Sequence, residues 1–235
     1  MMLDISKLVI IYPDKTIGVN NFSLHINNGE STALAGPNGA GKTTLMLSIM
    51  GLLPITEGYI EVDNIRVEKK TIKEIRSIAG LIFQNPDDQL FMANIYDDIA
   101  FGPRNYGLPE DDVKKLVEQA LSELGIIHLA ERSGLKLSEG EKRLAAIATV
   151  LSMRPSLLLF DEPTAFLDLK ARRNLIHLLN DMPYTKLIAS HDLTFLKEVC
   201  TQAVLIKDGT VFSQGKPEDL FHNKKLMEDC GLEAI

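Results

Sequence analysis

Short apolar runs separated by turn residues fill the first part of the chain and predict β-strands. Leu8–Ile11 and the alternating stretch Phe22–Ile26 come first. The turn Asn27-Asn28-Gly29 separates them from a third run, Ser31–Leu34. Further strands are predicted at Gly58–Val62, Ala79–Phe83, Leu157–Phe160 and Lys186–Ala189. A tight hairpin is predicted at Lys207-Asp208-Gly209, where a glycine turn separates two apolar runs.

Elsewhere apolar residues recur every three or four positions, a spacing that predicts amphipathic helices. The pattern is clearest in Glu110–Leu124, inside a stretch from Asn94 to Ala130 that has helical spacing throughout. Other helices are predicted at Lys42–Met50, from Ser138 to about Met153, at Lys170–Asn180 and at Asp192–Val199. Pro155 ends the second of these, because the residue before a proline disfavours helical backbone.

Strands that alternate with helices predict parallel βαβ units around a covered sheet. The opening strands have no helices between them, so we expect an antiparallel flank beside that sheet. We find no linker, internal repeat or low-complexity tract. The prediction is therefore an α/β fold in one domain over residues 1–235, with a helical subdomain near residues 85–155.

Composition and charge limit the kinds of partner that we expect for this chain. The 235 residues are 45% hydrophobic and 24% charged, a balance typical of globular domains, and carry a formal net charge of −7. An acidic chain has no broad surface for nucleic acid, so we expect no nucleic-acid partner. No apolar run approaches the roughly 20 residues that span a bilayer, so we expect membrane contact through partners only. Cys200 and Cys230 lack metal-ligand spacing and suit a reducing cytoplasm.

A glycine-rich phosphate-binding motif lies between the third predicted strand and the first predicted helix. It reads Gly36-Pro37-Asn38-Gly39-Ala40-Gly41-Lys42-Thr43 and matches G-x-x-x-x-G-K-[ST] at every fixed position. Glycines let the backbone N–H groups turn inward, and the helix N-terminus adds partial positive charge. Lys42 then reaches the β- and γ-phosphates, and the Thr43 hydroxyl ligates Mg²⁺. We expect the phosphates of a bound nucleotide to contact Asn38, Gly39, Ala40, Gly41, Lys42, Thr43 and Thr44.

Two acids follow the most apolar strand, Leu157–Phe160. A continuous apolar run is typical of a central parallel strand, and ligands collect at the carboxyl ends of such strands. Asp161 is therefore predicted to hold Mg²⁺, directly or through water. Glu162 is predicted to orient the attacking water or to accept its proton.

These two motifs leave a GTPase, a kinase or a helicase open, and a third motif selects the family. Leu137-Ser138-Glu139-Gly140-Glu141 resembles the ABC signature, written LSGGQ or LSGGE. The same residues also form a capping box, which alone has no catalytic meaning. The resemblance implies an ABC ATPase cassette that works as a homo- or heterodimer with another such subunit. Ser138 and Gly140 of one subunit then close over ATP bound by the other.

Further residues agree with the ABC family, and the resemblance extends from about Lys7 to Phe221. It implies that Tyr12 stacks on adenine and that Gln84 senses Mg²⁺ and the attacking water. It also implies that Asp168 reaches across the dimer interface and that His191 contacts the γ-phosphate. Together with Glu162, Gln84 and His191 complete the predicted catalytic set. The predicted metal residues are Thr43, Gln84 and Asp161.

The segment after Gln84 is similar to the ATPases of energy-coupling-factor importers, which take up cobalt, nickel or vitamins. It reads Phe83-Gln84-Asn85-Pro86-Asp87-Asp88-Gln89-Leu90-Phe91, followed by Asp97-Asp98-Ile99-Ala100-Phe101-Gly102-Pro103. The resemblance implies transmembrane transporter subunits as partners and a position on the cytoplasmic face of the cell membrane. Asp87 and Asp88 are candidates to bind arginines of the membrane subunit. The alternative is that they are solvent-exposed acids favoured by the dipole at a helix start.

Departures from the family pattern keep alternatives open. Glu139 replaces a usual glycine, and its carboxylate is expected near the partner's triphosphate. Phe166 and Leu169 replace the usual residues of TAGLDP. The alternatives are the ATPase of another ABC importer or exporter, a non-transport ABC protein, and a regulatory binder that ATP clamps without turnover. The solute is not readable, because a membrane subunit binds it.

Overall fold

The computed structural model describes Met1–Ile235, and the chain divides into two compact units. The first unit contains residues 1–81, 156–162 and 182–235, and the second contains residues 82–155 and 163–181. The second unit thus includes more of the chain than the helical subdomain expected near residues 85–155. The description of residues 1–235 as one domain stays a prediction.

Ten strands form two sheets. They are β1 (Leu3–Ile11), β2 (Ile17–Ile26), β3 (Ser31–Ala35), β4 (Glu57–Val62), β5 (Ile65–Arg66), β6 (Ala79–Ile82), β7 (Leu157–Asp161), β8 (Thr185–Ala189), β9 (Gln202–Lys207) and β10 (Thr210–Gly215). The larger sheet has the order β10-β9-β3-β8-β7-β6 and the smaller one the order β2-β1-β4-β5.

The larger sheet confirms the predicted parallel core. Strand β3 pairs in parallel with β8 and β9, β7 pairs in parallel with β8, and the edge strand β10 runs antiparallel to β9. Every residue of β3, β7 and β8 is buried. Strands covered on both faces need apolar residues throughout, which is why Leu157–Phe160 reads as a continuous apolar run.

The smaller sheet is the antiparallel flank that the helix-free opening of the chain predicted. Strand β1 pairs antiparallel with β2 and β4, and β4 pairs antiparallel with β5. The register shifts within β1, next to Lys7, whose φ of 47° is typical of a β-bulge. Strand β1 is longer than the predicted run Leu8–Ile11, because Leu3 and Ile5 add buried positions at alternate residues.

Nine helices complete the fold. They are α1 (Lys42–Ile49), α2 (Ile72–Ile78), α3 (Ile95–Asn105), α4 (Glu110–Glu123), α5 (Glu139–Leu151), α6 (Leu169–Asp181), α7 (Leu193–Val199), α8 (Pro217–Phe221) and α9 (Lys224–Cys230). The predicted helices agree with α1, α4, α5, α6 and α7 within about two residues at each end. Helices α2, α8 and α9, which contain seven, five and seven residues, were not predicted. No helix is long and apolar enough to cross a bilayer.

The second unit is built on α3, α4 and α5. Helix α3 begins after Asn94, whose side chain accepts a hydrogen bond from the backbone N–H of Asp97. Helix α4 buries one face of Val113, Val117, Ala120 and Leu121, the stripe that its spacing predicted. The Ser152 hydroxyl after the end of α5 donates to the Ile99 carbonyl at 3.0 Å and so joins α5 to α3. This contact fixes the end of α5 against α3.

Candidate active site

The phosphate-binding motif forms the loop between β3 and α1. Gly39 and Gly41 have φ values of 79° and 104°, in the left-handed region that favours glycine. A Cβ at Gly41 would lie 2.3 Å from the Gly18 carbonyl oxygen, so no other residue fits there. Helix α1 begins with no side-chain cap and with no acid in its first turn. Its first N–H groups therefore suit an anion.

Lys42 lies on the inner side of this loop and is only 7% exposed. Its Nζ donates to the carbonyl oxygens of Gly36 at 2.7 Å and Pro37 at 3.1 Å, and it lies 3.9 Å from Glu162 Oε1. Burial lowers the pKa of Lys42, while the charges of Glu162 and Asp161 oppose that shift. The geometry thus places one cation between the loop and two carboxylates.

Thr43 and Asp161 meet although 118 residues separate them in the sequence. The Thr43 hydroxyl donates to Asp161 Oδ2 at 2.8 Å, because Thr43 lies in the first turn of α1 and Asp161 ends β7. Burial raises the pKa of Asp161, and the Thr43 hydrogen bond opposes the shift. Two oxygen donors side by side are what a divalent cation such as Mg²⁺ requires from a protein, with water and phosphate as its other ligands.

Glu162 is held by three groups after β8. Its Oε2 accepts hydrogen bonds from Ser190 Oγ at 3.1 Å and from the backbone N–H of His191 at 3.2 Å. The ring atom His191 Nδ1 lies 2.8 Å from the same oxygen. The Glu162 backbone has a φ of 45° and donates to the Ala189 carbonyl at 2.8 Å. Both ends of the residue are therefore fixed, and the carboxylate has one defined direction.

The predicted adenine-stacking residue also lies beside the loop. Tyr12 is half-buried, and its hydroxyl shares a hydrogen bond of 2.8 Å with Thr44 Oγ1. Gly18 makes this approach possible, since a Cβ there would lie 2.7 Å from the Thr44 methyl group and 2.8 Å from the Tyr12 ring. Asn38 and Gly39 are exposed at the tip of the loop.

In the second unit, Ser138 caps α5 and forms a complete capping box with Glu141. Ser138 Oγ accepts from the backbone N–H of Glu141 at 3.4 Å, and Glu141 Oε2 accepts from the Ser138 N–H and hydroxyl, each at 2.8 Å. Glu139 is 43% exposed, and its carboxylate lies 3.2 Å from Lys142 Nζ. Lys142 also contacts Asp87 at 2.8 Å, and that hydrogen bond raises the pKa of Lys142.

A cavity of about 370 Å³ opens beside the start of α5, lined by Ser138, Gly140, Arg143, Asp168 and Ala171 among others. Asp168 accepts a hydrogen bond from the Ala171 N–H at 2.8 Å, which fixes the start of α6. A Cβ on Gly140 would lie 3.1 Å from the Ala171 side chain, so α5 and α6 approach closely there. Three predicted site residues thus share one cavity: Ser138, Gly140 and Asp168.

Gln84 has an exposed side chain in the second unit, and its backbone is held by Arg143. The first unit thus brings Tyr12, the loop from Asn38 to Thr44, Asp161, Glu162 and His191 together, while the second holds Gln84, Ser138, Gly140 and Asp168. Gly18, Ser190, Gln89 and Arg143 contribute to these contacts, and no sequence motif assigned a role to them. Only Ser190 had a local signal, since it lies next to His191 at the carboxyl end of β8.

The sequence model of the ABC transporter family matches residues 19–165. A Geobacter sulfurreducens protein whose provisional name is ABC transporter ATP-binding protein is 44% identical, over 99% of this chain and 93% of its own. Energy-coupling factor transporter ATP-binding protein EcfA3 of Clostridium perfringens is 38% identical, over 98% of this chain and 83% of its own.

Among solved structures, CbiO1 of Clostridium perfringens superposes with a TM-score of 0.86 and 37% identity. The match covers 97% of this chain and 93% of that one, and CbiO1 is described as part of the ABC transporter complex CbiONQ. These similarities confirm the ABC cassette fold and the resemblance to the energy-coupling-factor group that the sequence indicated.

Proposed function

Because this chain belongs to the ABC transporter family, it is an ATP-hydrolysing subunit of a transporter, and we propose that it powers an energy-coupling-factor importer. The proposal is supported by the stretch from Phe83 to Pro103 and by the names of EcfA3 and CbiO1 among its relatives. The Geobacter relative has a more general name, so another ABC importer or exporter is the second candidate. We propose cobalt, nickel or a vitamin as the imported solute.

One observation supports the proposed chemistry most directly: the Glu162 carboxylate is fixed by Ser190 and His191 and lies near Lys42. We assign Lys42 and the N–H groups of the loop to binding of the β- and γ-phosphates of ATP. Glu162 then orients a water molecule toward the γ-phosphorus and accepts its proton. His191, adjacent to that carboxylate, holds the carboxylate's direction and is assigned a contact to the γ-phosphate.

The metal assignment follows from the oxygen donors. Thr43 and Asp161 fit Mg²⁺, and Gln84 is proposed as a further residue near the ion. When bound, Mg²⁺ neutralises charge on the phosphates that ATP presents to the loop. The remaining assignments concern nucleotide contacts: Tyr12 for adenine, Asn38, Gly39, Ala40, Gly41 and Thr44 for the phosphates, and Ser138, Gly140 and Asp168 for the nucleotide of a second subunit.

The arrangement of the second unit supports a dimer. Ser138, Gly140 and Asp168 line an open cavity and are not needed to complete the loop of the first unit. We propose that this cavity receives the triphosphate held by another ABC subunit, identical or related. Transmembrane subunits are proposed to bring the dimer to the cytoplasmic face of the membrane. Asp88 is the better candidate for their arginines, because Asp87 already contacts Lys142.

The test is reconstitution. Membrane subunits from the neighbouring genes, combined with this chain in vesicles, are expected to take up Co²⁺, Ni²⁺ or a vitamin only with hydrolysable ATP. The matched control is Glu162→Gln, which is expected to bind ATP and to support no uptake. Uptake that proceeds equally without ATP, or ATPase activity that membrane subunits never alter, would contradict the proposed function.

A further inference from the structure

Arg143 carries a buried charge that the proposed chemistry does not use. It is 1% exposed and lies on α5, one turn after Gly140. Nη1 donates to the Phe83 carbonyl and Nη2 to the Gln84 carbonyl, both at 2.6 Å, and Nε has no hydrogen-bond partner. Burial lowers the pKa of Arg143 to about 10, and the charge of Glu139 opposes that shift. A buried cation is costly, so filling space alone does not explain it.

Two further connections join the same segment to α5. Gln89 Oε1 accepts from the Phe83 N–H at 3.2 Å, while Gln89 Nε2 donates to the Ala146 carbonyl at 2.9 Å and to Thr149 Oγ1 at 2.7 Å. Lys142 and Asp87 add an ion pair of 2.8 Å. The residues that follow Gln84 are therefore attached to α5 at several points along the helix.

We infer that Arg143 is a positioning residue that fixes the backbone of Gln84 to the helix start bearing Ser138 and Gly140. The inference rests on the proposed function, in which Gln84 serves the nucleotide site of its own subunit and Ser138 serves that of the partner. A rigid connection between the two makes each subunit present both groups at once. One nucleotide site then cannot gain its Gln84 without the same subunit presenting Ser138 to the other site.

The side-chain chemistry explains why arginine occupies this position. A planar guanidinium places two N–H donors in a fixed fork that matches two successive carbonyl oxygens. Lysine keeps the charge but reaches the two carbonyls with a single flexible ammonium. Methionine fills a similar volume with no donor, so it releases both carbonyl oxygens. Arg143→Met also removes a costly buried charge, which offsets part of the cost of the two released carbonyl oxygens.

The first test compares Arg143→Met with Arg143→Lys, using Arg154→Met as the control. Arg154 is exposed in the same unit and donates to the side chain of Gln119. We expect Arg143→Met to lower kcat by about tenfold or more, because two hydrogen bonds to the Gln84 segment are lost. The affinity for a fluorescent ATP analogue is expected to stay within about twofold. Arg143→Lys is expected to recover part of the lost kcat.

The second test uses mixed dimers in which one subunit carries Glu162→Gln, so that only one site hydrolyses ATP. Arg143→Met is placed either in the hydrolysing subunit or in its partner. The inference expects a loss of kcat in both placements, since one changes Gln84 and the other changes Ser138. A loss in neither placement, or in only one, overturns it. A loss equal to that of Arg154→Met overturns it as well.

Three further variants separate the possible outcomes. If Arg143→Met does not fold, Gln89→Leu loosens the same connection and is expected to lower kcat with unchanged nucleotide affinity; parallel losses of both would overturn the inference. Gln84→Ala and Ser138→Ala test the proposed function beneath it. If neither lowers kcat, the proposed function fails; if both do and Arg143→Met does not, only the role of Arg143 fails.

Discussion

The starts of helices α1 and α5 are built in opposite ways. Helix α1 begins with Gly41 in a left-handed conformation, without a side-chain cap and without acids. Helix α5 begins with Ser138, a full capping box and two acids in its first turn. Free N–H groups at α1 are ready for phosphate, whereas those at α5 are partly satisfied by its own side chains. The start of α1 is therefore suited to an anion as it stands, whereas in the proposed dimer the start of α5 would receive a partner's phosphate only where that phosphate displaces its cap.

The largest effect is expected at Glu162, which lies near Lys42 at the start of α1. Glu162→Gln removes the proposed base while keeping its size, so kcat is expected to fall by roughly 10²- to 10⁴-fold. ATP binding stays intact, and a dimer trapped by ATP-Mg²⁺ accumulates in ultracentrifugation. Lys42→Ala is the matched contrast, since it is expected to lose nucleotide affinity. Turnover of Glu162→Gln at the wild-type rate would show that the base lies elsewhere.

A smaller effect is expected at the α5 end, where Ser138→Ala removes both the cap and the proposed phosphate contact. A hydrogen bond to a charged group contributes about 1.5–3 kcal/mol, which corresponds to a 10- to 100-fold loss of turnover. Affinity of monomers for ATP is expected to stay unchanged, because the loop at α1 is intact. Loss of the helix cap alone lowers the stability of the protein by about 1 kcal/mol. If monomer affinity falls with turnover, the two helix starts are not independent sites.

Asp161→Asn is expected to lower ATPase activity, because it removes a proposed Mg²⁺ ligand, and to raise the stability of the folded protein. Burial raises the folded-state pKa of Asp161, so the charged carboxylate destabilises the folded protein above that pKa. Asparagine keeps an acceptor for Thr43, and thermal unfolding at pH 7 is expected to show a gain in stability. The gain disappears as pH falls below the unfolded-state value, where aspartate is protonated in both states. Asp88→Asn, at an exposed carboxylate, is the control and is expected to show no gain.

The smallest effect concerns Glu139. The sequence alone predicts repulsion between its carboxylate and the partner's γ-phosphate, but Lys142 lies 3.2 Å away and offsets part of that charge. Glu139→Gly is therefore expected to raise turnover at low salt by less than about tenfold, and high salt is expected to shrink the gain. Steady-state ATPase rates at two salt concentrations measure this. If the ATPase rate of Glu139→Gly at low salt is unchanged or lower, repulsion between Glu139 and the partner's γ-phosphate does not limit turnover.

Local signals predicted most of the fold and identified the residues that are proposed for the site of the first unit. The loop from Gly36 to Thr43 and the apolar strand before Asp161 each place their chemistry within a few residues, so sequence pattern was enough. Contacts between residues that are far apart in the chain could not be predicted from the sequence. Three such contacts depend on which strands and helices become neighbours: the hydrogen bond from Ser190 to Glu162, the close approach of Gly18 to Gly41, and the hydrogen bond from Arg143 to the Gln84 carbonyl. The pairing of Glu139 with Lys142 shows the same limit, because helical spacing permits it but does not require it.

The backbone of Glu162 has a consequence for the evolution of this position. At a φ of 45°, a glutamate is held where glycine or asparagine is accommodated at lower energy. The chain thus keeps a less stable residue at the position proposed to activate water. Variants selected only for thermal stability are expected to accumulate glycine or asparagine at position 162, and selection for ATP-dependent transport is expected to restore glutamate. The two kinds of selection would therefore favour different residues at position 162.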